Sequence, residues 1–155
     1  MANGGSGPRA KDPPFAGAFV LEVDGLEIGR FTEVTGLSVT MQVEEVVEGG
    51  NNESTVKLPG RLVWPNLVLK RGITADNLML EWILSCAGEG LAGKGGRVAR
   101  RPVSLSLLDS MFSPVRRWEV RDALPVRWTG PQFAVGNAAV ATEELEVCHA
   151  GFQTA

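Results

Sequence analysis

The sequence predicts a mainly β fold: an antiparallel β-sandwich or barrel of about eight strands with one packed α-helix. Three observations carry this. Most of the chain alternates apolar and polar residues with the period of a strand. The alternating runs are separated by turn-forming Gly, Pro, Asn and Asp. One segment alone, near residues 74–86, repeats its apolar residues at helical spacing.

In chain order, Phe19, Leu21 and Val23 alternate with Val20 and Glu22, and a second run covers Leu26 to Phe31. Asp24-Gly25 between them predicts a tight hairpin, because both central residues of a type I′ turn need positive φ. The longest alternation follows. Leu37, Val39, Met41 and Val43 share one face of a strand, and Thr40, Gln42 and Glu44 share the other. It runs into the polar, turn-rich segment Glu48-Gly49-Gly50-Asn51-Asn52-Glu53-Ser54, which predicts a projecting hairpin tip. The chain returns through Val56 to Leu58 and continues as a strand from about Arg61 to Lys70. Pro65 marks an edge or bulge there, since proline cannot donate to a ladder.

The helix is read with Thr74 as N-cap and Asp76 in its first turn, where the helix dipole favours negative charge. Leu78, Met79, Trp82, Ile83 and Cys86 form its core-facing side, and Gly88 and Gly90 stop it ahead of a glycine-rich loop reaching Gly96. Strands resume with Val103, Leu105 and Leu107, then Val115 to Arg121, then Leu124 to Trp128 before Gly130-Pro131. The last runs from about Ala141 to His149, with Leu145, Val147 and His149 opposite Glu144, Glu146 and Cys148.

Composition sets the limits. A chain of 155 residues with 44% hydrophobic and 21% charged residues predicts one domain with a real core. Residues 1–12 have little to bury and read as a flexible N-terminal arm, leaving residues 13–155 as the domain. The formal net charge of −3 gives no basic surface for nucleic acid. Cys86 and Cys148 are far apart, without the CxxC spacing of a zinc or redox site, and read as small, buried, reduced apolar residues. No basic-then-apolar leader and no apolar run of about 20 residues occurs, so neither a signal peptide nor a membrane span is expected.

Reaction chemistry is not in evidence. The chain has a single histidine, His149, and no GxSxG accompanies it as a triad would require. Glu44-Glu45 and Glu143-Glu144 are adjacent on strands and so point to opposite faces, unlike a catalytic carboxylate pair. The Gly88–Gly96 segment lacks both phosphate-loop spacings. The chain reads as a scaffold and not an enzyme, with no cofactor and no metal site.

Several ordered segments resemble one family. These include Phe19-Val20-Leu21-Glu22-Val23-Asp24-Gly25-Leu26, Phe31-Thr32-Glu33-Val34-Thr35-Gly36-Leu37 and Lys57-Leu58-Pro59-Gly60. Further along come Asn66-Leu67-Val68-Leu69-Lys70-Arg71-Gly72, Leu80-Glu81-Trp82, Pro114-Val115-Arg116-Arg117-Trp118 and Glu144-Leu145-Glu146-Val147-Cys148-His149. In this order and spacing they are similar to the tail tube proteins of contractile phages and to the inner tube proteins of extracellular contractile injection systems. The sequence departs from that pattern at Met111-Phe112-Ser113 and after His149.

The resemblance implies a structural subunit that forms hexameric rings. The rings stack into a hollow tube that sheath contraction propels. It implies as partners other copies of the chain, the sheath, baseplate and tube-terminating proteins, possible lumen cargo or phage genome in transit, and a target membrane on injection. It implies assembly in a bacterial cytoplasm as part of a phage tail or phage-tail-like particle. Within it, Thr40, Gln42 and Glu44 are expected to face the lumen, with Leu37, Val39, Met41 and Val43 facing the subunit core. The Glu48-to-Ser54 loop is expected to govern ring stacking. The alternatives are a tube-initiating adaptor ring, a type VI Hcp-like tube protein, and, from another class, a small ligand-binding β-barrel.

Overall fold

The structure is a computed structural model that describes residues 16–47, 49–50, 55–88, 92, 95–96, 100–132, 136 and 141–155. Strand β1 (Ala16–Val23) turns through Asp24 and Gly25, at φ 54° and 78°, into β2 (Leu26–Phe31). This is the double positive φ that the Asp-Gly pair supplies at least cost. After β3 (Glu33–Thr35) come β4 (Thr40–Val47) and β5 (Thr55–Val63), then β6 (Leu67–Gly72) and the helix α1 (Leu78–Ser85). The chain continues as β7 (Val103–Asp109), β8 (Pro114–Arg121), β9 (Leu124–Thr129), β10 (Thr142–Cys148) and β11 (Gly151–Thr154).

The strands form three antiparallel sheets. One has the order β11-β8-β7-β1-β2, the second β3-β6-β10-β9, and the third holds β4 and β5 alone. The first two face each other across the core. Period-two alternation makes that core: along β10 the inward residues Glu143, Leu145 and Val147 are buried, and the residues between them are half-buried. Leu145 pairs directly with Leu69 of β6, and both are fully buried. Leu21 and Leu105 do the same across β1 and β7. Each such leucine contributes about 2 kcal/mol of transfer free energy. Met79 and Trp82 of α1 add to this cluster, and the helix packs on β9 and β2.

Eleven strands are present among the described residues, against about eight expected. Strands β3 and β11 have three and four residues, too short for alternation to register. The run expected as one strand from Arg61 to Lys70 is cut at residues 64–66, so that its halves belong to different sheets. Pro65 sits in that break, where no ladder donor is needed.

The helix also begins later than expected. Its N-cap is Asn77, with no side-chain cap bond, and Thr74 lies three residues upstream. Asp76 does the capping work from outside. Its carboxylate accepts the Leu78 N–H at 3.3 Å, the Thr74 hydroxyl at 2.8 Å and the Arg71 guanidinium at 3.0 Å. These bonds, the one from Thr74 foremost, hold the Asp76 carboxyl below its ordinary pKa. Of the expected core face, Met79 and Trp82 are buried and Ile83 and Cys86 half-buried. Leu78, at the helix start, is instead 41% exposed. Gly88 takes a positive φ of 57°, while Gly90 lies outside the described residues.

Candidate functional site: an uncovered hairpin

Among the described residues, strands β4 and β5 make their extensive contacts only with each other. All 17 of their residues are exposed. Residues expected to face the subunit core do not reach it: Val39, Met41 and Val43 are 48%, 51% and 53% exposed. Only Leu37, ahead of the strand, packs against the core cluster. The physical reason is that β4 joins neither side of the sandwich, so nothing among the described residues covers it.

Cross-strand pairs share a face of a sheet. Thr40 pairs with Val63 and Glu44 with Leu58, while Val46 pairs with Val56. The face that carries Thr40, Gln42 and Glu44 is therefore half apolar, because the returning strand adds Val56, Leu58 and Val63. The opposite face holds Met41 against Leu62 and Val43 against Pro59. Between those two pairs the register shifts by one residue, at the Gly60-Arg61 position of β5. Gly60 lies against the Gln42 carbonyl, where a larger residue would collide. The hairpin thus presents apolar side chains on both faces. An isolated two-stranded ribbon is marginal in water.

At the tip, Gly49 and Gly50 form an exposed turn, Gly50 at φ 88°. Glu48, Asn51, Asn52, Glu53 and Ser54 of the expected stacking loop lie outside the described residues. So do residues 1–15, which include the expected N-terminal arm.

The roots of the hairpin are strongly specified. Gly36 leaves β3 at φ 91°, with the Asn66 carbonyl where its side chain would begin. Asn66 Nδ2 donates to Glu146 Oε1 at 3.2 Å, and Arg127 pairs with the other oxygen of Glu146 at 2.8 Å. Nearby, Arg71 is buried and donates to Glu143 Oε1 at 2.6 Å through Nε and to Asp76 Oδ1 through Nη2. Burial opposes its charge. The hydrogen bonds to Glu143 and Asp76 outweigh that and raise its pKa above the ordinary arginine value. Trp128 Nε1 donates to the second Glu143 oxygen at 3.3 Å. Gly29 gives the guanidinium its room, since a side chain there would meet it.

Sequence reading missed these partners, because register between distant strands has no local signal. Gly36, directly after Val34-Thr35, is the one local signal, since a glycine ending a strand run allows the positive φ found there. Among the described residues no group of three or more His, Cys, Asp or Glu gathers as a metal site would. No helix among them is long and apolar enough to cross a membrane.

A β-sandwich with edge strands β2, β11, β3 and β9 and an uncovered apolar hairpin defines a structural subunit of a larger assembly. The chain belongs to the family of the T4-like virus tail tube protein gp19, whose model matches residues 16–153. Among solved structures it is similar to a chain of the sheath–tube complex of the extracellular contractile injection system PVC in its extended state. That likeness has 22% identity and a TM-score of 0.75 over 94% of this chain and 93% of the other. It is similar, at 23% identity and a TM-score of 0.75 over 100% of both chains, to a chain of the tube-terminating cap of the anti-feeding prophage. A chain of the anti-feeding prophage baseplate matches at 24% identity and a TM-score of 0.69, over 94% of this chain and 96% of the other. At these identities the likeness is one of fold. No curated protein matches the sequence.

Proposed function

We propose that this chain is the inner-tube subunit of a contractile injection machine, forming six-membered rings that stack into a hollow tube. It performs no reaction; the tube is driven forward by contraction of a separate sheath. Residues 13–155 act as one domain and residues 1–12 as an arm. The observation that carries this reading is the β4–β5 hairpin, apolar on both faces and uncovered among the described residues.

The energetics support association. The apolar side chains of the hairpin are each roughly half exposed, so covering one contributes about 1 kcal/mol. Summed over the hairpin this is of the same order as the cost of association, about 4–15 kcal/mol. Burial alone therefore does not bind tightly. Backbone pairing of the open strand edges with a neighbouring copy adds the rest. Repetition of that pairing around and along the tube makes it stiff.

The six-fold ring number follows the family resemblance. The sheath, baseplate and terminating-cap partners follow it too, supported by the complexes in which the similar chains were found. Assembly takes place in the cytoplasm of a bacterium, in a phage tail or phage-tail-like particle. Negative-stain microscopy of the purified protein tests the proposal. Hollow rings and tubes are expected, and a uniform field of compact 16.5 kDa particles contradicts it. Deleting residues 49–52 is expected to leave soluble rings or monomers and no tubes; tubes of normal length from that variant would remove the stacking role of the loop.

A further inference from the structure

The returning root of the hairpin, residues 64–66, is fastened to the body by an aromatic joint at Trp64 besides the Asn66–Glu146 bond. The Trp64 ring stands edge-on to Phe152, 4.9 Å between centroids, and 6.1 Å from His149. His149 is held at both ring nitrogens. The Gly151 N–H donates to Nδ1 at 3.0 Å, and Nε2 lies 2.9 Å from the Pro65 carbonyl oxygen. An amide N–H can only donate and a carbonyl oxygen can only accept. The ring is therefore neutral, with its proton on Nε2. Gly151 is buried at φ 130°, packed against the Arg121 guanidinium and the Trp64 ring, so that no side chain fits there.

We infer that His149 is an acid-sensitive latch on the hairpin root. Neutral, it clips Pro65 to the turn between β10 and β11. Protonation places a second N–H on Nδ1, facing the Gly151 N–H; the Nε2–H bond to Pro65 is kept, but the ring loses its anchor in the turn and the clip opens there.

The charged groups around the joint come from two other positions. Arg121 on β8 brings a positive charge beside Gly151, which disfavours a second one on the imidazole. Glu146 on β10 touches the root through Asn66, but Arg127 already compensates it. Cys148, the preceding residue, is a half-buried free thiol. Burial is the main cause that lowers the His149 pKa below 6.5, with the Pro65 carbonyl working against it. A backbone partner ordinarily favours the charged ring, but the Gly151 amide is a donor and opposes it. A depressed folded pKa gives stability that is whole above about pH 6.5 and is lost as pH falls through the folded value.

The test is hydrogen-exchange mass spectrometry of the full chain across this range, with strands β1 and β7 as internal reference. The midpoint of the sole histidine is read by NMR of ring-labelled protein. Protection of the Gly151 amide and its neighbours in residues 149–152 is expected above the midpoint, falling about tenfold per pH unit between pH 6.5 and the folded pKa while the reference strands hold. His149→Gln keeps one acceptor and one donor, and its protection is expected to stay flat with pH; His149→Ala is expected to lose it throughout. Equal protection on both sides of the measured midpoint overturns the inference. So does a His149→Gln variant that tracks the natural protein, or a Gly151 amide that is unprotected at every pH. The readout is the joint itself, so it stands or falls separately from tube formation.

Discussion

Gly36 and Asn66 cross at the foot of the hairpin, so closely that the Asn66 carbonyl occupies the place of a Gly36 side chain. Gly36 also holds φ at 91°, which L-residues rarely adopt. The outgoing and returning roots are thereby locked against each other, and the hairpin leaves the body in one direction.

Gly36→Ala is expected to cost at least about 2 kcal/mol, the strain of positive φ plus a backbone collision. Gly25→Ala is the control. Its φ is 78° but nothing stands within 4 Å of the added carbon, so about 1 kcal/mol is expected. Denaturant midpoints of the two variants give the comparison, and equal losses would mean that the crossing is not tight.

Glu143→Leu removes one partner of a buried ion pair and leaves the Arg71 charge half-compensated. The expected loss is about 3–5 kcal/mol in denaturant unfolding. Adding Arg71→Met to Glu143→Leu removes the stranded charge as well. Most of the stability is then expected to return, since a buried pair and an apolar replacement are often nearly equal. A double variant as unstable as the single one would show that Trp128 and Asp76 depend on the pair more than its own charges do.

How far these features could be read from the sequence follows from the range of the interactions behind them. The Asp24-Gly25 turn and the inward residues of β10 were legible, because turn chemistry and alternation are local. The core-facing side of β4 was misread for the same reason. Alternation says which residues share a side of a strand, but not whether the chain has anything to put against it. The Arg71–Glu143 pair joins strands 72 residues apart, and only the β6–β10 register brings its members together. The helix start was misplaced because Asp76 caps from outside, in a bonding pattern that Thr74 shares.

Val43→Asp and Leu58→Asp place a charge on opposite faces of the hairpin. Both positions are exposed, so the stability of the isolated chain is expected to change by no more than about 0.5 kcal/mol. Tube formation is expected to fail for Val43→Asp, whose face is proposed to meet a neighbouring copy. Sedimentation and microscopy on the same samples separate folding from assembly.

The face of Thr40, Gln42 and Glu44 is proposed to line the lumen. In assembled tubes, Gln42→Cys is expected to react with a small maleimide that can diffuse along the channel, and slowly with a bulky one. Met41→Cys is expected to be shielded from both. Reversal of the two rates would assign the lumen to the other face.

The central claim is that neighbouring copies complete what the single chain leaves open. Hydrogen exchange of the β4 and β5 amides, compared between assembled wild-type particles and the Val43→Asp variant, addresses it directly. Strong protection on assembly, approaching that of β1 and β7, is the expected result. A hairpin that exchanges as fast inside the particle as in the free chain would contradict it.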